Sequence, residues 1–151
     1  KEVYLSHLRQ QIRERAATTL TGLSTTGSNV FQSRTYPLER ASLPGICLYT
    51  NEETSEIQSQ GNPRNVQKIL SLSIQGFASS STGVDDTLDT ISKEVEIAMQ
   101  GDIRLNNLAQ DSYLSETSIS ISGEGEKEIG SVTLIYTVIY QHAENNPGAA
   151  L

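Results

Sequence analysis

The chain predicts an α+β domain: a single mixed, mainly antiparallel β-sheet with two amphipathic helices packed on one face and a long C-terminal β-hairpin. Three observations lead there. Two segments carry apolar residues at steps of three and four, the period of a helix with one buried stripe. Several others alternate apolar and polar residues, the period of a strand. The last two alternating segments are joined by a short charged turn that contains glycine, the signature of a hairpin. At 151 residues the chain is long enough for one domain, which can bury roughly 70% of its unfolded surface without a disulfide or a metal. Residues 1–142 are expected to form that domain and 143–151 a disordered tail.

Val3–Leu20 reads as the first helix, with Leu5, Leu8, Ile12, Ala16 and Leu20 as its stripe and Arg9, Gln10 and Arg13 on the wet face. Gly22 can close it, and Thr21–Asn29 is a loop rich in Ser, Thr and Gly. Val30–Tyr36 is a short strand ended by Pro37. Leu43-Pro44-Gly45 leads into a second strand, Ile46–Thr50, which Pro44 can only begin or border because it has no N–H for a ladder. Asn51–Asn65 is the longest stretch without an apolar pattern and is expected to be a mobile loop that orders on assembly. Val66–Phe77 alternates as a strand, with Val66, Lys68, Leu70, Leu72 and Ile74 on one face. Val84–Gln100 is the second helix, striped by Leu88, Ile91, Val95, Ala98 and Met99. Thr82 and Asp85 resemble a capping box, Asp85, Asp86 and Asp89 suit the positive end of the dipole, and Gly101 stops the helix. Asp102–Gln110 is compatible with one helical turn. Ser112–Ser122 is a strand with Ser115, Thr117, Ile119 and Ile121 on one face, and Gly123–Gly130 is a charged turn. Ser131–Gln141 is the strongest strand. It is apolar on both faces, so it lies at the sheet centre or has an outer face that meets another subunit.

The composition restricts the function. The net charge is −7, divided as +3 over residues 1–45 and −10 over the rest. A dedicated nucleic-acid binder would show a basic patch with interleaved aromatics instead. No apolar run approaches the ~18–20 residues of a membrane span, and Lys1–Arg15 has no signal-peptide core. The start at Lys1 rather than methionine predicts trimming at that end. A lone cysteine, Cys47, cannot form an internal disulfide and reads as a buried small hydrophobe suited to a reducing compartment.

No catalytic, cofactor or metal site emerges. His7 and His142 lie at opposite ends without an adjacent acid, and Cys47 has no neighbouring base. Gly123-Glu124-Gly125-Glu126-Lys127 imitates a phosphate loop, but its glutamates repel phosphate and no helix follows. Asp85 and Asp89 could approach a cation, but compensation of the helix dipole explains them more simply. The chain is therefore expected not to be an enzyme. Candidate subunit or partner contacts are the exposed charges of the long loop and the hairpin: Glu52, Glu53, Glu56, Arg64, Glu116, Glu126, Lys127 and Glu128.

Four segments in order carry a family resemblance: Asp102-Ile103-Arg104-Leu105, Tyr113-Leu114-Ser115-Glu116-Thr117, Gly123-Glu124-Gly125-Glu126-Lys127 and Leu134-Ile135-Tyr136-Thr137-Val138-Ile139-Tyr140. The succession resembles the C-terminal half of the tail terminator proteins of long-tailed bacteriophages, the family of the lambda minor tail protein U. Leu8-Arg9, Val30-Phe31, Pro37-Leu38, Leu43-Pro44-Gly45-Ile46 and Tyr49-Thr50 fit it more loosely, so the resemblance covers about residues 5–141. It implies a mixed α/β fold and a hexameric ring on the head-proximal end of the tail tube. The implied partners are other copies of the chain, the tail tube protein and a head completion or neck protein. The implied location is the virion tail, after assembly in the host cytoplasm, with DNA passing through the lumen unbound and no membrane or cofactor involved. A head–tail joining protein of the connector and a small-ligand binding module on the sheet are the alternative functions.

Overall fold

The fold is described from a computed structural model over residues 5–35, 42–80, 82–122 and 128–151. The elements follow the order α1 (Leu8–Leu20), β1 (Val30–Phe31), β2 (Gly45–Ile57), β3 (Asn65–Ser80), α2 (Val84–Gln100), β4 (Asp111–Ser122) and β5 (Glu128–Ala143). The strands form one sheet in the order β1-β2-β3-β5-β4. Only the β1–β2 pair is parallel, and the other three pairs are antiparallel. Long antiparallel β3 and β5 form the centre and pair along their whole length without a register shift.

Both helices lie on one face of the sheet and share a single core with it. Leu8, Ile12, Ala16 and Leu20 of α1 and Val84, Leu88, Ile91, Val95 and Met99 of α2 are buried there. They meet Ile46 and Leu48 of β2, Leu70, Leu72 and Ile74 of β3, and Val132, Leu134, Tyr136, Val138 and Tyr140 of β5. The period-2 alternation of these strands turns the same residues inward, which is why one stripe per element suffices. Gly76 and Gly130 allow α2 to approach closely. A Cβ on Gly76 would lie 2.7 Å from Ile91 Cγ2, and one on Gly130 would lie 2.8 Å from Leu88 Cδ1.

Four expectations change. Leu5 precedes α1 and is exposed; the helix begins at Leu8, where the His7 ring accepts the Arg9 N–H. The first strand keeps only Val30–Phe31, and the part of that reading at Tyr36 and Pro37 lies outside the described residues. The expected loop at Asn51–Asn65 is largely strand, because β2 continues to Ile57 on the ladder of β3. Only residues 58–64 connect the two, closed by bonds from Gln58 N–H to the Asn65 carbonyl and from Asn65 N–H to Ser59 Oγ. The cap of α2 is not Thr82 but Gly83, in the left-handed region at φ +72° and without a side-chain bond, where glycine meets no steric penalty.

The C-terminal residues lie against the start of α1. Leu8 N–H donates to the Pro147 carbonyl (2.8 Å), Leu151 N–H to the Gln141 carbonyl (3.0 Å), and Gln11 Nε2 to the Gly148 carbonyl (2.9 Å). Residues 144–151 thus form a strap under the start of α1. Asp102–Gln110 is a turn in which Leu105, Asn106 and Asn107 all have positive φ (47°, 57° and 63°). Such values are uncommon outside glycine. Complete burial of Leu105 and a bond from Asn106 N–H to Asp102 Oδ1 accompany them. Burial opposes the charge of Asp102, but bonds from Arg15, Asn106 and Thr19 hold its carboxyl below the ordinary range.

Candidate assembly interface

A sheet exposes its hydrogen-bonding groups at its edges, and among the described residues this sheet is open on both sides. β4 is a terminal strand along its full length. From Ser115 to Ser122 every side chain is exposed, including Ile119 at 50% and Ile121 at 40%. Proteins commonly blunt such edges with lysine, proline or brevity. β4 has 12 residues, neither of those residue types, and only Asp111 and Glu116 as charges. On the opposite side, β1 covers β2 at Ile46 and Cys47, so among the described residues β2 beyond Thr50 is a second open edge. Arg34 marks the limit: its guanidinium donates to the Thr50 carbonyl at 2.7 Å and lies 5.0 Å from the Tyr49 ring centroid.

The face of the sheet away from the helices is rich in hydroxyls and amides. The registers place Glu56, Gln67 and Gln141 in one transverse row, Thr54, Ile69, Ile139 and Asp111 in the next, and Tyr49, Ser73, Ile135 and Glu116 in another. No Lys or Arg of the described strand residues points to this face. Cys47 lies on it, buried, with its thiol pushed up to about 11 by burial and donating to Gln75 Oε1 at 3.4 Å. His142 is on the helix side, so the structure does not bring these two together.

Each edge strand carries a bulge that decides where its charges point. In β2 the register moves from Thr50↔Leu72 to Glu53↔Leu70, so Asn51 and Glu52 together oppose Ser71. The extra residue lets Thr50 and Glu53 face the same side, and Glu53 turns under α1. Its carboxylate takes Arg9 Nη1 at 2.5 Å and approaches Lys68 Nζ at 4.0 Å. It also accepts the hydroxyl of fully buried Tyr140. Burial, followed by this carboxylate, drives ionisation of Tyr140 far above the ordinary tyrosine range. Beside it, the His142 ring stacks on Tyr140 (6.1 Å) and meets His7 edge-on (6.3 Å). His142 Nδ1 lies 2.7 Å from the Ala143 carbonyl, while its Nε2 is buried without a hydrogen bond.

The charges named from sequence do not form one patch. Glu52 and Glu56 are exposed on the β2 edge, Glu116 on the β4 edge, and Glu128 at the start of β5. Glu53 is partly buried and bound to Arg9 and Tyr140 rather than a free contact. Arg64 pairs with Glu144 of the strap at 2.9 Å. Glu126 and Lys127 lie outside the described residues. Sequence reasoning missed the group formed by Arg9, Lys68 and Tyr140 around Glu53. Its one legible signal was a tyrosine at a core position, whose hydroxyl needs a partner. An open groove between α2 and β4 is lined by Glu96, Met99, Ile103, Tyr113, Leu114 and Tyr136.

No protein-family model matches the chain, and no curated protein matches it. Among solved structures, a chain from the virion of a native gene transfer agent particle is similar over 88% of this chain and 92% of its own length. The identity is 10% and the TM-score 0.39, values too low to carry a functional argument.

Proposed function

We propose that the chain is a structural virion protein that acts as a tail terminator, assembling as a ring on the head-proximal end of a phage tail tube. The observation that carries this reading is the single sheet with open edges on opposite sides. Two unlike edges on one molecule make a heterologous contact, and such a contact closes into a ring when its rotation divides a full turn. With both helices on one face, closure leaves the other face to line the lumen. That face presents Glu56, Asp111 and Glu116 with hydroxyls and amides, and negative charge there disfavours retention of DNA. The job is to stop tube growth and to present a surface for a head completion or neck protein, and it needs no chemistry at any residue. The resemblance of the motifs at 102–105, 113–117 and 134–140 to tail terminators selects this reading from other ring-forming ones.

The test is molar mass by light scattering across a concentration series, with and without purified tail tubes, followed by negative-stain imaging of tube ends. The expected result is a hexamer, or a monomer that becomes a ring on tubes and halts their elongation. A chain that stays monomeric at every concentration and ignores tubes removes the function. Binding to portal-side connectors in place of tubes transfers it to head–tail joining.

A further inference from the structure

We infer that neighbouring copies join by pairing β4 of one with the open half of β2 of the next, staggered along the strands so that the sheets run on into a tilted barrel. The inference rests on the ring reading and specifies its interface. Three features of the fold converge on it.

The first is direction. β2, β3, β5 and β4 alternate in sense across the sheet. A copy rotated about an axis near the strand direction therefore presents its β2 antiparallel to β4, with no change of orientation. The helix sides of the two sheets then also coincide.

The second is clearance. Without stagger, β1 of the next copy, which occupies the edge of β2 at Ile46 and Cys47, collides with the middle of β4. A stagger of about six residues moves β1 beyond Ser122, the last described residue of β4, and keeps inward faces matched, because even steps preserve the side-chain period. It also sets the whole open stretch of β2 alongside Leu114–Ile121. For the four strands that repeat in such a ring, β2, β3, β5 and β4, spaced ~4.8 Å apart and rising ~3.3 Å per residue, that stagger tilts the strands by about 46°. Closed sheets tilt by roughly 35–45°, so the step that moves β1 beyond Ser122 brings the strands to about the upper end of the tilt that barrel closure takes.

The third is the content of the pairs. At this stagger Ile57, 49% exposed, opposes the partly buried Leu114 of the preceding copy. Ser55 opposes Thr117 on the helix side, and Thr54 opposes Ser118 on the lumen side. One pair is unfavourable: Glu56 meets Glu116, and like charges directly opposite destabilise a sheet. This contact weakens spontaneous ring closure in solution and leaves assembly to the tube end, where further contacts outweigh it.

The test uses disulfide trapping in the full chain, with Cys47 left in place because it is buried. Thr54→Cys with Ser118→Cys is expected to give a covalent ladder ending at the ring under mild oxidation, on tubes or at high concentration. Thr54→Cys with Asp111→Cys, which are level in an unstaggered alignment, is expected to give none. Glu116→Lys is expected to lower the concentration for half-assembly by about tenfold, the equivalent of ~1.4 kcal/mol. Rings in light scattering without a Thr54–Ser118 ladder overturn this interface and leave the terminator reading intact. A dimer trapped by Ser118→Cys alone overturns it in favour of two-fold β4–β4 pairing. Failure of every variant and the parent chain to assemble, with tubes present, overturns both.

Discussion

Replacing Glu53 with alanine tests whether the inward turn of β2 holds α1 to the sheet. The loss has two parts of unequal size. Tyr140 is fully buried, and its hydroxyl loses the carboxylate that accepts it; a buried donor left unpaired costs about 1–3 kcal/mol. The Arg9 side chain is 39% exposed, so its guanidinium turns to water and the ion pair contributes only about 1 kcal/mol. Together these predict a loss of about 2–4 kcal/mol for Glu53→Ala. Glu53→Gln keeps an oxygen for Tyr140 and should lose only about 1 kcal/mol. Tyr140→Phe, combined with each, closes a double-mutant cycle in which the Tyr140–Glu53 coupling appears only while an acceptor is present. The assay is urea unfolding by circular dichroism at concentrations where the chain is monomeric. A Glu53→Ala loss under ~0.5 kcal/mol, or equal losses for Ala and Gln, would refute the reasoning, since the first falls within the range of ordinary surface substitutions.

Two further outcomes follow from the packing and the titration of named groups. Gly76→Ala forces a methyl against Ile91 Cγ2, and overpacking of this kind should cost about 1–3 kcal/mol, read as a lower urea midpoint with an unchanged slope. His7 must stay neutral to accept the Arg9 N–H, and burial followed by Arg9 lowers its pKa from 6.5. The contribution is therefore complete above pH 6.5 and lost as the pH falls through the lower folded value, seen as faster amide exchange at the start of α1. His7→Asn retains a cap and should remove that step.

The parts of the fold that were legible in sequence are those whose pattern is enforced by one continuous core. Leu88, Ile91, Val95 and Met99 specify α2, which spans Val84–Gln100 as read. Val132 through Tyr140 specify the inward face of β5. The distal half of β2 was not legible, because Asn51-Glu52-Glu53-Thr54 has the composition of a loop and becomes strand only through its ladder to β3, a tertiary influence that overrides local preference. The strap was hidden for a similar reason: it is held by backbone groups and by the absence of a Cβ at Gly148, where one would sit 3.0 Å from the Leu5 carbonyl oxygen. At the interface, the alternation of Ile119 and Ile121 with serine was visible. That these isoleucines stay exposed depends on β4 being the terminal strand of the sheet, which no local pattern encodes. The inward turn of Glu53 depends on one unpaired residue in the register.

The two bulges lie at nearly the same level across the sheet, beside Ser71 in one case and between Leu114 and Glu116 in the other. Both rims therefore hold one more residue than the midline formed by β3 and β5, which pair without interruption. A strip whose margins are longer than its middle cannot stay flat; it buckles into a saddle, and a bulge adds local twist in the same sense. Deleting Asn51 would shorten one rim while leaving Thr50 and Glu53 on their present sides. The shape of the sheet can thus be altered separately from the identity of its core, and the two single-residue insertions set the curvature with which one molecule meets the next.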